Sequence, residues 1–175
     1  VISVSDDGTA RIWDGDTGEC LATLKGHTNE VQGAMELSDG RILSWSEDFR
    51  LRVWDANTGE CLAILEGHSF ILEGAAELSD GRILSWSWDD LLALWDADTG
   101  KYYVILKGHT ETVNGATELE GGRILSWSDD CTLRVWDKNA GHSPVTKCLV
   151  ILEGHTESVN GAAELSDGRI LSWSE

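Results

Sequence analysis

Histidine, serine and aspartate, the three residue types of a hydrolytic triad, recur at constant spacing along the chain. In each set the histidine comes first, a serine and an aspartate follow, and a tryptophan ends the set. Three sets keep identical offsets: His27, Ser44, Asp48 and Trp54; His68, Ser85, Asp89 and Trp95; His109, Ser126, Asp130 and Trp136. A single active site would break this symmetry, whereas identical copies are typical of a scaffold. We therefore expect no catalytic residue and no enzyme activity.

A longer phrase repeats together with these sets. Glu-Leu-Ser-Asp-Gly-Arg-Ile-Leu-Ser-Trp-Ser occupies residues 36–46 and returns at 77–87 and 164–174, with a near copy at 118–128. Gly-His and Trp-Asp pairs recur as well, and Trp-Asp falls every 41 residues from Trp13 onwards. Ser-Asp-Gly is turn chemistry, and the residues after it are rich in β-formers. A period of this length predicts stacked or radial units rather than one aperiodic core.

The composition narrows the class of partner. The chain has 175 residues, of which 31 are acidic and 13 are Lys or Arg, so its net charge is −18. This balance argues against nucleic acid, because a phosphate backbone needs clustered Lys and Arg. It suits an acidic protein that repels its own copies or meets a basic partner. No apolar run approaches 18 residues, so we expect no membrane contact and a cytoplasmic location.

The four cysteines, Cys20, Cys61, Cys131 and Cys148, do not predict a disulfide or a zinc site. Three of them open the same predicted strand in different repeats, whereas a disulfide needs Cα atoms within about 7 Å. No Cys-x-x-Cys pair is present. Residues 14–18, Asp-Gly-Asp-Thr-Gly, loosely resemble a calcium loop, but the copies of this segment favour a turn that uses Asx side chains. We expect reduced thiols, no metal and no cofactor.

Each period contains four short strands separated by Gly, Asp, Asn and Ser turns, and no helical periodicity is present. With the Gly-His and Trp-Asp marks, the whole chain resembles a WD-repeat (WD40-type) β-propeller. More narrowly, it resembles the recently amplified arrays of near-identical blades known from cyanobacteria and other bacteria. The resemblance implies an all-β fold of four-stranded antiparallel blades. In such blades the histidine, serine, aspartate and tryptophan of each set form a structural tetrad, a chain of buried hydrogen bonds.

The repeat frame divides the chain into a partial blade (1–25), three blades (26–66, 67–107 and 108–153) and a second partial blade (154–175). Together these amount to about four blades, and the rings of this family have seven or eight. An open half ring exposes strand edges, which invite pairing with another chain. Two hypotheses remain: the chain pairs with another copy, or it belongs to a longer array with further blades.

The phrase places a tryptophan between two serines, and the preceding strand carries glycine and alanine. The tryptophans are Trp45, Trp86, Trp127 and Trp173; the small pairs are Gly33-Ala34, Gly74-Ala75, Gly115-Ala116 and Gly161-Ala162. A large residue matched by a small one on the neighbouring strand indicates packing. The alternative is a ring of aromatic side chains that stack on a ligand such as a sugar.

Recognition is expected where the repeats differ, because shared residues build the scaffold. By analogy with the family, five unrepeated apolar residues lie on the top face of two adjacent blades: Phe49, Phe70, Ile71, Trp88 and Leu91. We call this set the apolar patch and predict a protein-contact site there. Drift in a redundant array is the alternative. A five-residue insertion within residues 138–147, which contains His142 and Pro144, lies by the same analogy on the opposite face and is either neutral or functional.

These observations favour a non-enzymatic interaction scaffold or sensor propeller with a protein partner, either by itself or as part of a larger multidomain bacterial protein. The alternative function is a small-molecule or glycan-binding propeller.

Overall fold

The structure is a computed structural model that describes residues 1–139, 145–146 and 148–174. Within these residues all regular secondary structure is β-strand, so the prediction of an all-β fold is confirmed. No described segment forms a helix of the length and apolarity that crossing a membrane would require. His142 and Pro144, which the sequence singled out, lie outside the described residues.

The strands form five sheets with antiparallel pairing between neighbours along the chain. Sheet 1 contains β1 (Ile2–Val4), β2 (Thr9–Trp13) and β3 (Cys20–Lys25). Sheet 2 contains β4 (Val31–Glu36), β5 (Ile42–Ser46), β6 (Arg50–Trp54) and β7 (Cys61–Glu66). Sheet 3 contains β8 (Leu72–Glu77), β9 (Ile83–Ser87), β10 (Leu91–Trp95) and β11 (Tyr102–Lys107). Sheet 4 contains β12 (Val113–Glu118), β13 (Arg123–Ser128), β14 (Leu133–Asp137) and β16 (Cys148–Leu152). Sheet 5 contains β17 (Val159–Glu164) and β18 (Ile170–Ser174).

One short strand departs from the four-strand pattern. Strand β15 (Val145–Thr146) pairs in parallel with the outer strand β11 and adds a fifth strand to sheet 3. It comes from the insertion between β14 and β16, so part of the insertion returns to the edge of the preceding sheet. The repeat frame did not predict this pairing.

The turns between strands use the Asx chemistry that the sequence indicates. In the turn at residues 14–18, Asp14 Oδ1 accepts hydrogen bonds from the backbone N–H groups of Asp16 and Thr17, both at 2.8 Å. Asp55 Oδ1 does the same in the next repeat, at 2.9 and 2.8 Å. These carboxylates serve their own turns, which supports the turn interpretation. Among the described residues, no group of three acidic, histidine or cysteine side chains is arranged to hold a metal ion.

Each hydrophobic core lies between two consecutive sheets. Between sheets 2 and 3, for example, Leu43 and Leu51 pack with Leu72 and Ile83, and all four are fully buried. Similar cores join sheets 1 and 2, sheets 3 and 4, and sheets 4 and 5. Full burial of one such side chain contributes about 1.5–3 kcal/mol. The sheets are therefore stacked face to face, and each one depends on its neighbours.

The tryptophan between the two serines packs inside its own sheet. Gly33 pairs with Trp45 across β4 and β5, and a Cβ at Gly33 would overlap the indole ring. The same overlap would occur between Gly74 and Trp86, and it recurs in sheets 4 and 5. Glycine is required because the ring fills the space of its side chain. This geometry supports the packing interpretation of these tryptophans.

Candidate functional site

The tetrad of sheet 3 is a directed chain of hydrogen bonds. Trp95 Nε1 donates to Ser85 Oγ at 2.8 Å, and Ser85 Oγ lies 2.8 Å from His68 Nε2. His68 Nδ1 lies 2.9 Å from Asp89 Oδ2. Because a carboxylate only accepts, Nδ1 donates to Asp89, and Nε2 accepts from the serine hydroxyl. The four side chains join the loop before β8, the strands β9 and β10, and the turn between them.

Sheets 2 and 4 repeat this arrangement. The sheet 2 tetrad is His27, Ser44, Asp48 and Trp54, and the sheet 4 tetrad is His109, Ser126, Asp130 and Trp136, with the corresponding distances between 2.7 and 2.9 Å. Burial lowers the pKa of His27 and outweighs the opposing effect of Asp48. Burial raises the pKa of Asp48, but the hydrogen bonds from His27 and Thr28 bring it below its usual value. A neutral imidazole beside an ionised carboxylate fits the directed chain.

Sheets 1 and 5 contain parts of the same constellation. In sheet 1, Trp13 Nε1 donates to Ser3 Oγ at 2.8 Å. In sheet 5, His155 lies 2.8 Å from the hydroxyl of Ser172 and 3.0 Å from that of Ser174. Tryptophan and serine thus meet in one sheet, and histidine and serine meet in the other.

Each complete set links serine, histidine and aspartate by hydrogen bonds as a hydrolytic triad does, but a substrate cannot reach its serine. The hydroxyls of Ser44, Ser85 and Ser126 belong to fully buried residues, and each accepts a hydrogen bond from a tryptophan. A nucleophile must reach a substrate carbonyl, and these oxygens are enclosed by the sheet. The arrangement can satisfy buried polar groups, and its three serine hydroxyls are not accessible to a substrate.

The apolar patch lies at the turns that connect the tetrad residues of sheets 2 and 3. Phe49 and Phe70 stack on each other across the two sheets, with ring centroids 6.2 Å apart. Phe70 is 55% exposed and Trp88 is 47% exposed, whereas Ile71 and Leu91 are half-buried. Large apolar side chains at this exposure are typical of contact surfaces.

The five patch residues have three different surroundings. Phe49 and Phe70 form one aromatic pair. Trp88 is anchored separately, because its Nε1 donates to Glu73 Oε2 at 2.6 Å and its backbone N–H donates to the carbonyl of Ile71 at 3.0 Å. Leu91 faces a cavity beside Gly67 and His68. The patch is therefore a surface with a recess at its edge rather than one flat cluster.

Phe49 also has a strained backbone. Its φ is +67°, in the left-handed region, where the corresponding residue of sheet 1 is Gly8 at +78°. A bulky residue in this region costs of order 1–3 kcal/mol. The same position has a positive φ in sheets 3 and 4 as well, at Asp90 (+66°) and Cys131 (+62°), so the repeat imposes the conformation and phenylalanine adopts it at a higher cost than glycine.

Sequence reasoning did not predict a ladder of hydrogen bonds between sheets, which lies at the turns that follow β4 and β8. The N–H and Oγ of Ser38 donate to the carboxylate of Glu77 in the next sheet, both at 2.7 Å. Ser79 donates to Glu118 in the same way, at 2.7 and 2.9 Å. All four residues belong to the repeated phrase, whose serines the sequence analysis assigned to a turn. The sequence feature that could have predicted these bonds is a serine and a glutamate separated by 39 residues, nearly one repeat period.

Arginines of the phrase extend this ladder. Arg41 pairs with Asp98 of sheet 3 at 2.9 Å, and Arg82 donates to the backbone carbonyl of Lys138 in sheet 4 at 2.9 Å. The Lys138 ammonium contacts Asp80 at 2.9 Å and also Glu118. Hydrogen bonds and charge from Arg82 and Lys138 hold the pKa of Asp80 well below its usual range. The sheets are thus joined by polar clamps as well as by hydrophobic cores.

Comparison with known families identifies the repeats. The family model described as WD domain, G-beta repeat matches residues 18–55 and 100–137, and each match ends one residue after a tetrad tryptophan. The chain carries WD40 repeats. The crystal structure of the WD40 beta propeller domain of Doa1 superimposes with a TM-score of 0.76 and 27% identity, over 98% of this chain and 56% of that one. The predicted fold, about four blades of a WD40-type propeller, is confirmed.

Curated relatives share the repeat over short stretches. Nuclear distribution protein PAC1-2 of Uncinocarpus reesii is 51% identical over 43 residues, which are 25% of this chain and 9% of that protein. The probable E3 ubiquitin ligase complex SCF subunit sconB of Arthroderma otae is 54% identical over 37 residues, 21% of this chain and 6% of that protein. The WD40 chain therefore matches less than a tenth of the length of either relative.

Proposed function

We propose that this WD40 chain is a non-enzymatic scaffold that binds a protein partner through the apolar patch. The observation that carries this proposal is the aromatic pair of Phe49 and Phe70, two exposed, unrepeated side chains that stack across two sheets. WD40-repeat proteins serve as protein-interaction scaffolds, and one relative is named as a subunit of a ubiquitin ligase complex. Exposed aromatic residues are enriched at the centres of protein interfaces.

Charge and burial support the finer parts of the proposal. The buried serines of the tetrads favour a protein without enzymatic activity. The net charge of −18 disfavours nucleic acid and favours a partner with basic side chains. We further propose a cytoplasmic protein, in which this propeller is a sensor or docking module of a larger multidomain bacterial chain.

The alternative function, binding of a glycan or small molecule on a ring of tryptophans, has less support. A sugar would need open indole faces, and the rings of Trp45, Trp86 and Trp127 lie against the glycines of neighbouring strands. In the described part of the chain, these three rings are at most half-exposed.

The outer faces of sheets 1 and 5 support a proposal about assembly. Leu171 and Trp173 of β18 are exposed, although β18 has the same sequence as the largely buried strands β5 and β9. We propose that another copy or further sheets of a longer chain cover these faces. Light scattering at micromolar concentration distinguishes the outcomes. A dimer supports pairing of copies, aggregation of the isolated chain supports missing sheets, and a folded monomer contradicts both.

The apolar patch is tested by replacing two of its residues with those at the same repeat positions of sheet 2. We call the other repeat copies of a sheet its sister sheets. Phe70→Asn and Trp88→Glu introduce the residues Asn29 and Glu47 of the corresponding positions in sheet 2, so the fold is kept. We expect wild-type chain immobilised on beads to retain a discrete partner from an extract of its source cells, and the double variant to lose it.

Leu62→Asn is the matched control, because Leu62 has the same 47% exposure as Trp88 but lies on the outer strand β7. Partner binding that survives the double variant, or that is lost equally with Leu62→Asn, would show that the patch is not the contact site.

A further inference from the structure

One cavity lies beside the tetrad of sheet 3. It has a volume of about 270 Å³ and lies on the outer half of the sheet, where Leu91, Ala93 and Trp95 of β10 share one face. Ile105 lines it from β11, together with Tyr102, which is 52% exposed. Because an exposed residue forms part of its wall, the cavity opens to solvent. We call it the Ala93 pocket.

The pocket exists because an arginine is absent. The residue two positions before the tetrad tryptophan is Arg11 in sheet 1, Arg52 in sheet 2 and Arg134 in sheet 4, whereas sheet 3 has Ala93. In sheet 2 the guanidinium carbon of Arg52 lies 5.9 Å from the ring centroid of Trp54. The space that a sister sheet fills with an arginine side chain is therefore open in sheet 3.

The glycine of each Gly-His pair lies next to the position that the guanidinium occupies in sheets 2 and 4. A Cβ at Gly26 would lie 3.1 Å from Arg52 Nη1 and 3.2 Å from the ring of Trp54. A Cβ at Gly108 would meet Arg134 and Trp136 in the same way. At Gly67 it would meet only the Trp95 ring, at 3.0 Å. The guanidinium site of sheets 2 and 4 thus coincides with the position of the Ala93 pocket.

The electrostatics of this site favour a cation. In sheet 4, Arg134 Nη2 lies 3.9 Å from Asp130, the tetrad aspartate. The corresponding carboxylate in sheet 3, Asp89, keeps its charge because the hydrogen bonds from His68 and Ser69 outweigh the effect of burial and lower its pKa. Sheet 3 therefore retains the aspartate, behind His68, and the tryptophan but not the guanidinium that accompanies them elsewhere; Trp95 is 1% exposed, and Tyr102 is the exposed aromatic residue of the pocket wall. Tyr102, which replaces a cysteine of the sister sheets, adds a second aromatic ring at 6.2 Å from Trp95.

We propose that the Ala93 pocket binds an arginine side chain of a partner polypeptide, whose guanidinium takes the place that Arg52 and Arg134 occupy in sheets 2 and 4. Arginine suits the site better than lysine because its planar guanidinium stacks on aromatic rings. The net charge of −18 attracts a basic segment. The pocket is continuous with the apolar patch through Leu91, and the proposal rests on the proposed function only in taking a polypeptide as the source of the arginine.

The resident arginines also indicate how strong the interaction is. Arg52 Nε and Arg134 Nε are buried without a hydrogen-bond partner among the described residues. Arg52 Nη1 donates one weak hydrogen bond, to Cys61 Sγ at 3.6 Å. The site therefore holds a guanidinium mainly by stacking and charge, which makes it a weak site for a single arginine and a selective one within a larger interface.

The test uses N-acetyl-arginine amide as the probe and the indole N–H signals of the full chain in two-dimensional NMR. We expect a saturable shift of the Trp95 signal, with the Trp54 and Trp136 signals unchanged. The lysine and leucine analogues should bind about tenfold more weakly or worse. Equal binding of the lysine analogue would reduce the effect to net charge, and tighter binding of the leucine analogue would make the pocket an apolar one; either result overturns the proposal.

Two variants test the position of the pocket: one fills it in sheet 3, and the other creates an equivalent pocket in sheet 2. Ala93→Arg restores the residue of the sister sheets, so the fold is kept, and it should abolish the probe's effect on Trp95. Arg52→Ala should open an equivalent pocket in sheet 2 and add a shift of the Trp54 signal. Probe binding that persists in Ala93→Arg refutes the assignment. The patch variant Phe70→Asn should still bind the probe, so failure of the pocket and failure of the patch are distinguishable.

Discussion

Trp95 and Trp88 lie in the same hairpin of sheet 3 and have opposite surroundings. Trp95 is fully buried, and its indole N–H donates to a tetrad serine. Trp88 is 47% exposed, and its indole N–H donates to Glu73 at the surface. The first has a counterpart in every set of the repeat, and the second stands where the sister sheets have acidic residues. Repeated residues build the sheet, whereas unrepeated residues change what the sheet presents.

The difference shows how a redundant array can acquire a specific surface. Because the tetrad is complete in sheets 2, 3 and 4 and the serine–glutamate bonds join these three sheets, the turns outside them can change without loss of the fold. The sheet 3 changes to Phe70, Trp88, Leu91 and Ala93 all lie outside the tetrad, although Leu91 and Ala93 share a strand with Trp95. Under the proposed function, stability and recognition would depend on different residues of the same hairpin.

The largest expected effect is on Trp95. Trp95→Ala removes a buried ring and leaves Ser85 without its donor, and we expect the free energy of unfolding to fall by about 3–5 kcal/mol. Trp88→Ala, the matched control, should change it by no more than about 0.5 kcal/mol. Denaturant midpoints of the two variants measure both values. Equal midpoints would contradict the claim that Trp95 stabilises the fold and Trp88 does not.

His68→Ala should have the next largest effect. It leaves the Ser85 hydroxyl and the Asp89 carboxylate buried without their shared partner, at a cost of about 1–3 kcal/mol. His155→Ala is the comparison, because the described residues give His155 only two serine partners and neither an aspartate nor a tryptophan. We expect a smaller loss there, again from denaturant midpoints. A wild-type midpoint for His68→Ala would refute the structural role of the tetrads.

The fold and the tetrads could be predicted because both are periodic. Identical offsets between His68, Ser85, Asp89 and Trp95 and their copies place these residue types at the same point of every repeat, and the structure joins them by hydrogen bonds. Their contribution to stability stays a prediction until the variants are measured. The division into blades by residue number likewise rests on the repeat frame.

The contacts between sheets could not be derived from turn chemistry. The bond from Ser38 to Glu77 joins residues 39 positions apart, whose proximity depends on how the sheets stack. The Ala93 pocket could not be predicted from the sequence for a related reason. Replacement of an arginine by alanine is visible in the sequence, but whether neighbouring side chains fill the space is decided by packing.

A third prediction compares two glutamates of the repeated phrase. Glu77→Gln replaces a carboxylate that accepts two hydrogen bonds from Ser38, so we expect a loss of about 1 kcal/mol. Glu36 holds the same position in sheet 2, and the described residues provide no serine for it. Glu36→Gln should therefore stay within about 0.5 kcal/mol of wild type. Thermal unfolding of the two variants measures the difference, and equal losses would mean that the ladder adds no stability.

The smallest expected effect has the opposite sign and lies at Phe49. Phe49→Gly relieves a positive φ, which costs of order 1–3 kcal/mol, but removes a stacked aromatic pair that contributes about 0.5–1.5 kcal/mol. We expect a net stabilisation of about 0.5–1 kcal/mol by thermal unfolding, together with loss of partner binding. Asp90→Gly, at φ +66° in sheet 3, is the control and should gain less, because aspartate tolerates the left-handed region better than phenylalanine. If Phe49→Gly destabilises the chain, the strained turn serves folding, and its exposed ring is part of the scaffold rather than of the surface that binds.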